Sequence, residues 1–359
     1  MVMLSMLDRY IARHLLVAIA LTLLVLTGLS FIGLFMGNLG DVGTLDYGYG
    51  TLFAYILLNL PAQLYEMLPA AALVGTSAGL SLLALSSELT AMRAAGVSLY
   101  RIFLSVIKLC LLLVVLAIVM SEWMVPASLN SAEELRSSAL HQPLRDRVGN
   151  VWLRENKEFV RIGEVMPDRS LGSIDIVEPL EGGKGLRQIE ARQAIYKKDH
   201  WLLQDVRQTQ LVGDQVRTEK LVQLMWRPQF SPELMRTMQV PQQKMSTLQL
   251  LKYVRHLKKN HQEAAAYELS LWKKLITPFS TLIMVTLAVP FVFGSIRTGG
   301  LGRRVFIGVL LGFMFSLMQT GMGYYSLSFG ISPAITALTP AILFLGLTGF
   351  LFYRAARIN

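Results

Sequence analysis

Apolar residues arrive in six long blocks, three before a polar stretch and three after it. The first runs uncharged from Leu15 to Met36, the second from Met67 to Leu85 and the third from Ile102 to Met124. The later blocks are Leu275 to Phe293, Val305 to Leu327 and Pro333 to Tyr353. A bilayer core needs roughly 20 apolar residues in a helix, so each block predicts one membrane span. An amphipathic stretch, LFAYILLNLPAQLYE, precedes the second block, and Pro61 and Pro69 are expected to bend it. Lys108 lies near the start of the third, where snorkelling to the interface is expected. The first block is too long for a signal-peptide core and no small-x-small cleavage site follows, so it is expected to be retained.

Between the two sets of three the pattern changes. NVWLRENKEFVRIGEV reads as two short strands about a polar turn, and GSIDIVEP, LRQIEARQAIYKK, HWLLQDVRQTQLV and EKLVQLMW alternate apolar with polar residues. Gly, Asp and Pro punctuate them. The period predicts a β-sandwich or jelly-roll-like domain. From 246 to 274 the period returns to helical, with Leu248, Leu251, Val254 and Leu257 on one side. The expected fold class is a membrane α-helical protein with six spans, 3+3, and an inserted periplasmic all-β jelly-roll-like domain. The expected boundaries are 1–125 for the first three spans, 126–245 for the insert and 246–359 for a connecting helix and the last three spans.

Charge sets the orientation. The chain is 53% hydrophobic and 16% charged, against about 25% charged in soluble domains. Lys and Arg accumulate on cytoplasmic loops. Arg9, Arg13, Arg93, Arg101, Arg297, Arg303, Arg304, Arg354 and Arg357 fall on alternate sides, whereas the loop at 37–50 carries two aspartates and no base. Both termini and the segment around residue 93 are therefore expected in the cytoplasm, and residues 126–268 mostly in the periplasm. LLKYVRHLKKNHQEAAAYELSLWKK is basic yet falls outside, which the rule tolerates after a long translocated domain. The insert is nearly balanced, with 17 Lys or Arg against 14 Asp or Glu between residues 145 and 245. With no aromatic–basic interleaving, the net charge of +10 reflects membrane topology and no nucleic-acid partner is expected.

Catalytic motifs are absent. GGKG at 182–185 lacks the spacing and hydroxyl of a phosphate loop. There is no H-E-x-x-H, no G-x-S-x-G and no Cys/His cluster. Of the histidines, only His256 and His261 lie near each other, on what reads as a solvated helix face. Cys110, the single cysteine, sits in an apolar run as a small buried hydrophobe, so no intrachain disulfide can form. Glu66 and Glu122 border predicted spans and read as solvated interfacial carboxylates. No catalytic residue, metal or cofactor is expected in this chain.

One short segment breaks the apolar pattern. LSSELTAMRAAGVSLYRI, residues 85–102, predicts a two-turn helix over 87–96, with Ser87 as N-cap, Glu88 in the first turn, a left-handed cap at Gly96 and Ser98 opening the next helix. Leu85, Leu89, Met92 and Gly96 fall within about 60° on the helical wheel, a small apolar ridge. So short a helix needs a docking partner. The plain reading is a tight cytoplasmic turn. The functional reading is a coupling helix that fits a groove on a cytosolic ATPase, in a permease energised from outside its own chain.

LDRYI at 7–11, SELTAMRAAGVS at 87–98, EWMVP at 122–126, the YVRHLKKN helix and LAVPFVFGSIR at 287–297 resemble the LptF/LptG permeases of lipopolysaccharide export. The likeness runs from residue 7 to the C-terminus, and LDRYI is closer to the LptG branch. The resemblance implies a paralogous LptF-like permease partner, a cytosolic ATPase dimer (LptB) holding ATP and Mg, an LptC-like bitopic protein and an LptA-like periplasmic bridge. It implies residence in the inner membrane of a Gram-negative bacterium and a jellyroll receiving lipopolysaccharide drawn from the outer leaflet of that membrane. Glu88, with Leu89, Met92, Arg93 and Gly96, matches the ATPase-coupling helix. Arg136 and Lys274 match cations facing lipid A phosphates, and Lys273 stands beside them. Family cations elsewhere correspond here to Leu34, Asp41 and Glu133. Two other classes compete: an ATPase-coupled mechanotransmitting membrane protein acting on periplasmic partners, which needs no acyl-chain cavity, and a lipid-modifying enzyme, which needs an intramembrane His/Asp/Glu constellation.

Overall fold

A computed structural model describes residues 6–141, 151–155, 158–165, 170–180, 185–197, 200–212, 215–227, 242–260, 262–293 and 301–358. Arg297, Asn156 and Lys157 of the expected polar turn, most of GGKG and His261 lie outside these residues. Among the described residues, six helices are long and apolar enough to cross a membrane. In chain order the helices are α1 (Met6–Asn38), α2 (Tyr49–Leu85), α3 (Glu88–Ala94), α4 (Leu99–Val119), α5 (Val125–Ala139), α6 (Thr247–Lys259), α7 (Ala265–Phe293), α8 (Leu301–Phe329) and α9 (Pro333–Ile358). The strands are β1 (Val151–Glu155), β2 (Glu158–Val165), β3 (Leu171–Pro179), β4 (Gly185–Lys197), β5 (His200–Val212) and β6 (Gln215–Trp226). A membrane helical protein with an inserted β domain is what the period predicted.

The chain divides into two compact units, one made of residues 1–135, 242–250 and 265–359, the other of 136–241 and 251–264. In the first unit α2 is central, packed against α1, α7 and α8. Its stretch from Ala70 to Gly79 is small at every position but Leu73 and Val74, which lets neighbouring backbones approach where hydrocarbon tails offer no competing advantage. A Cβ on Gly75 would overlap the Ile19 backbone of α1, and one on Gly79 would meet Leu15 at 2.8 Å. Pro61 and Pro69 lie inside α2, which remains one helix of 37 residues. The amphipathic stretch and the second span are thus a single element, because packed neighbours supply partners for backbone groups that proline frees. The third span also outruns its expected end at Met124: α4 passes through a π turn, Met120–Met124, into α5. Cys110 is buried, as expected.

In the second unit the six strands form one antiparallel sheet in the order β1-β2-β3-β4-β5-β6. Each described strand pairs with its neighbour in sequence. Strict alternation is broken at three places. Leu171 and Ile174, Ala191 and Ala194, and Leu203 and Val206 are buried three apart. The ladders skip Gly163/Ser173 and Arg192/Asp205, and Ser173 and Asp205 have φ of 49° and 54°. The register is the same on both sides of each gap, so facing strands break together at one row and their side-chain alternation shifts together. Beyond that row the apolar residues return to the same face, where Ile162, Ile176, Trp201 and Trp226 complete the core.

Candidate functional site

Two regions carry the predicted residues, and the first lies at the N-terminal ends of α1, α3 and α4. α3 spans Glu88–Ala94, close to the helix read from the sequence. Gly96, at φ 87°, ends it through a left-handed conformation that a Cβ would strain. Ser98 opens α4 by accepting the Arg101 N–H. The N-terminus differs from expectation. Ser87 takes φ 62° and its side chain does not cap the helix; instead the Ser86 hydroxyl donates to Glu88 Oε1 at 3.0 Å. The Tyr10 hydroxyl of α1 donates to Glu88 Oε2 at 2.6 Å. These donors, with His14 adding positive charge nearby, hold the Glu88 carboxyl below its usual range.

The apolar ridge turns inward. Leu89 is 3% exposed and joins the bundle core, with Met92 and Val97 packed on it. A ridge predicted to seek a partner is satisfied within the chain, since an exposed Leu on a two-turn helix gains most by covering the adjacent core. The outward face is left with Thr90, Ala91, Arg93, Ala94 and Gly96, plus the half-buried Glu88.

Beside this helix stands a cluster that sequence reasoning missed. Asp8 is 1% exposed and accepts hydrogen bonds from Lys108 Nζ at 2.7 Å, Ser105 Oγ at 2.5 Å and Arg101 Nη2 at 3.3 Å. Lys108 therefore does not snorkel: an acid two turns from the membrane edge gives it a closer partner. Arg304 is likewise only 6% exposed and donates to Ser81 Oγ at 3.4 Å, so it is packed in the bundle as well as counted in the basic loop. The available signal was Asp8 itself, the one acid ahead of the first apolar block, with Arg101, Ser105 and Lys108 spaced along one face of α4.

The second region is a cavity of about 250 Å³ between α2, α5, α7 and α8. Glu66, Lys273, Lys274, Gln319 and Thr320 are among its polar lining. Glu66 and Lys273 interact electrostatically across it. The Lys273 ammonium also lies over Gly323, where a Cβ would come within 2.8 Å. Lys274 is engaged differently. Its ammonium donates to the carbonyls of Ser121 at 3.2 Å and of Met245, and its own carbonyl accepts from Tyr65. Of the two adjacent lysines, Lys273 is directed at the cavity and Lys274 ties together three segments. Glu122 is no solvated carboxylate: it accepts the Thr247 N–H at 3.3 Å on both oxygens, meeting the positive end of α6. Glu133 pairs with Lys244 at 2.9 Å. Arg136 lies in the last turn of α5 and belongs to the other unit. Among the described residues no cluster of His, Cys, Asp or Glu could hold a metal.

Residues 9–354 match the family described as Lipopolysaccharide export system permease LptF/LptG. The chain belongs to the LptF/LptG permease family. Among its relatives are the Lipopolysaccharide export system permease protein LptG of Haemophilus influenzae, 31% identical over 98% of this chain and 99% of the relative. The protein of the same name from Escherichia coli K12 is 31% identical over 98% of each chain. This LptF/LptG permease is a multi-pass membrane protein, and its two candidate regions lie in the span-bearing unit.

Proposed function

We propose that the chain is an LptG-type permease subunit that draws lipopolysaccharide from the outer leaflet of the inner membrane and passes it to a periplasmic bridge. The energy comes from ATP hydrolysis by a separate cytosolic ATPase, and the chain itself carries no catalytic residue and no cofactor. An LptF-like permease, an LptC-like bitopic protein and an LptA-like bridge complete the assembly. The observation that carries the reading is the carboxylate of Glu88. It is presented on a helix of 7 residues between two membrane spans, fixed by two hydroxyl donors. A fixed anion on an otherwise small, smooth surface suits a basic groove on the ATPase.

On the substrate side, Lys273 is the chain's cation for a lipid A phosphate, and Lys274 holds the wall behind it. A cavity of about 250 Å³ is below the roughly 300–1,000 Å³ of pockets that bury a drug-sized ligand. It suits a phosphate-bearing headgroup, and the acyl chains require the wider space formed with the paired permease. Arg136 stands as a further candidate for phosphate on the periplasmic side.

Glu88→Lys tests the coupling: the permease complex should lose its ATPase on purification, and retained ATPase with transport-linked hydrolysis would refute the assignment. For orientation, an alkaline phosphatase fusion at Gly183 should be active and one at Gly300 inactive; the reverse would overturn the topology.

A further inference from the structure

We infer that Tyr10 is a positioning residue that presents the Glu88 carboxylate, and that the first turns of α1 bracket the short helix so that the two move together. The inference rests on the reading of Glu88 as the contact with the ATPase. α3 is too short to hold its own orientation, and its N-terminal residue lacks a side-chain cap. Something outside it must therefore fix the carboxylate.

α1 does so at both ends of the segment. At the start of α3, Tyr10 donates to Glu88 at 2.6 Å. The tyrosine ring is itself steadied against His14, with ring centroids 4.5 Å apart. Beyond the end of α3, Asp8 grips Arg101, Ser105 and Lys108 on α4. Only Arg9 lies between Asp8 and Tyr10, so one turn of α1 holds the entry and the exit of the short helix. Between these grips, Leu89 joins the buried cluster that also contains Ile11 and Leu15 of α1. A push on α3 is thereby delivered to α1.

The grips have different chemistry. Asp8 is buried and paired with two cations, an arrangement that fixes position. Tyr10 is 41% exposed, and its hydroxyl donates to the carboxylate that is placed against the ATPase. A glutamate side chain left unheld samples many rotamers, and holding it in one lowers the ordering cost at docking. The groups facing Glu88 are Tyr10 and His14 of α1 and Ser86 of its own segment; Arg93 lies on the same helix at its far end. Removing the Tyr10 hydroxyl should weaken docking while leaving the turnover of the docked complex intact.

The test uses the full permease complex in proteoliposomes, titrated with its ATPase subunit, comparing wild type, Tyr10→Phe, Glu88→Ala and the double variant. Tyr10→Phe should raise the half-saturating ATPase concentration about fivefold, the scale of a partly exposed hydrogen bond to a charge, with an unchanged maximal rate. In the Glu88→Ala background the same change should add nothing. If Glu88→Ala leaves half-saturation at the wild-type value, the coupling role of Glu88 fails. If Glu88→Ala weakens docking but Tyr10→Phe does not, the positioning role alone is overturned. An equal penalty for Tyr10→Phe in both backgrounds would mean that Tyr10 acts through packing of α1, and would also overturn it.

Discussion

Replacing Asp8 with Ala would leave two cations facing a buried gap. Asp8 is 1% exposed, whereas the side chains of its partners Lys108 and Arg101 are 25% and 39% exposed. Breaking a fully buried ion pair costs about 3–5 kcal/mol, because the survivor is stranded without solvent. Here both survivors can recover part of their hydration, so the expected loss is about 2–3 kcal/mol, below that range. Unfolding of the purified permease in micelles with a rising fraction of SDS should therefore begin at a clearly lower fraction for Asp8→Ala. Asp8→Ala combined with Lys108→Met should recover part of the loss, since the better-buried stranded charge is gone. Wild-type resistance of the single variant would refute the argument that this cluster holds α1 to α4. A double variant less stable than either single would refute the stranded-charge explanation.

Lys273 and Lys274 should separate by assay: Lys274→Met should lower unfolding resistance, whereas Lys273→Met should keep it and reduce photocross-linking to lipopolysaccharide from the cavity. Equal behaviour of the two would sink the division of roles. Gly75→Leu should force α1 off α2, since even a Cβ overlaps the Ile19 backbone, and a disulfide engineered between α1 and α2 should then form poorly. In the second unit, burial and the nearby Lys259 push the His256 imidazole below its ordinary 6.5. The unfolded chain thus binds the proton more readily, so this contribution is fully present above pH 6.5 and is lost as pH falls through it. His256→Gln should flatten that acid limb, measured by proteolysis of the β unit between pH 7.5 and pH 5.5.

How much of this was legible beforehand differs from element to element. The six spans followed from apolar run lengths, because a bilayer selects composition directly and needs no knowledge of partners. The short helix and its Gly96 stop followed from local chemistry, as a left-handed residue and a charge in a first turn are decided within a few positions. The strands followed from alternation, but the row where that alternation shifts did not. Phase shifts at Ser173 and Asp205 depend on what lies across the ladder.

The sequence by itself determined the membrane class, the 3+3 order, the inserted β domain and the presence of a charged helix between two spans. All of these rest on periodicity and hydropathy, which are properties of neighbouring residues. Only the tertiary structure decided which charges are spoken for. Asp8 meets Lys108 across 100 positions, Tyr10 meets Glu88 across 78 and Lys274 reaches back 153 to Ser121. No local pattern encodes such pairings, because they depend on how helices with interchangeable apolar faces happen to be apposed. That apposition separates two adjacent lysines into a cavity cation and a structural tie. It also turns the apolar ridge of the short helix inward, and leaves its carboxylate as the group held out to a partner.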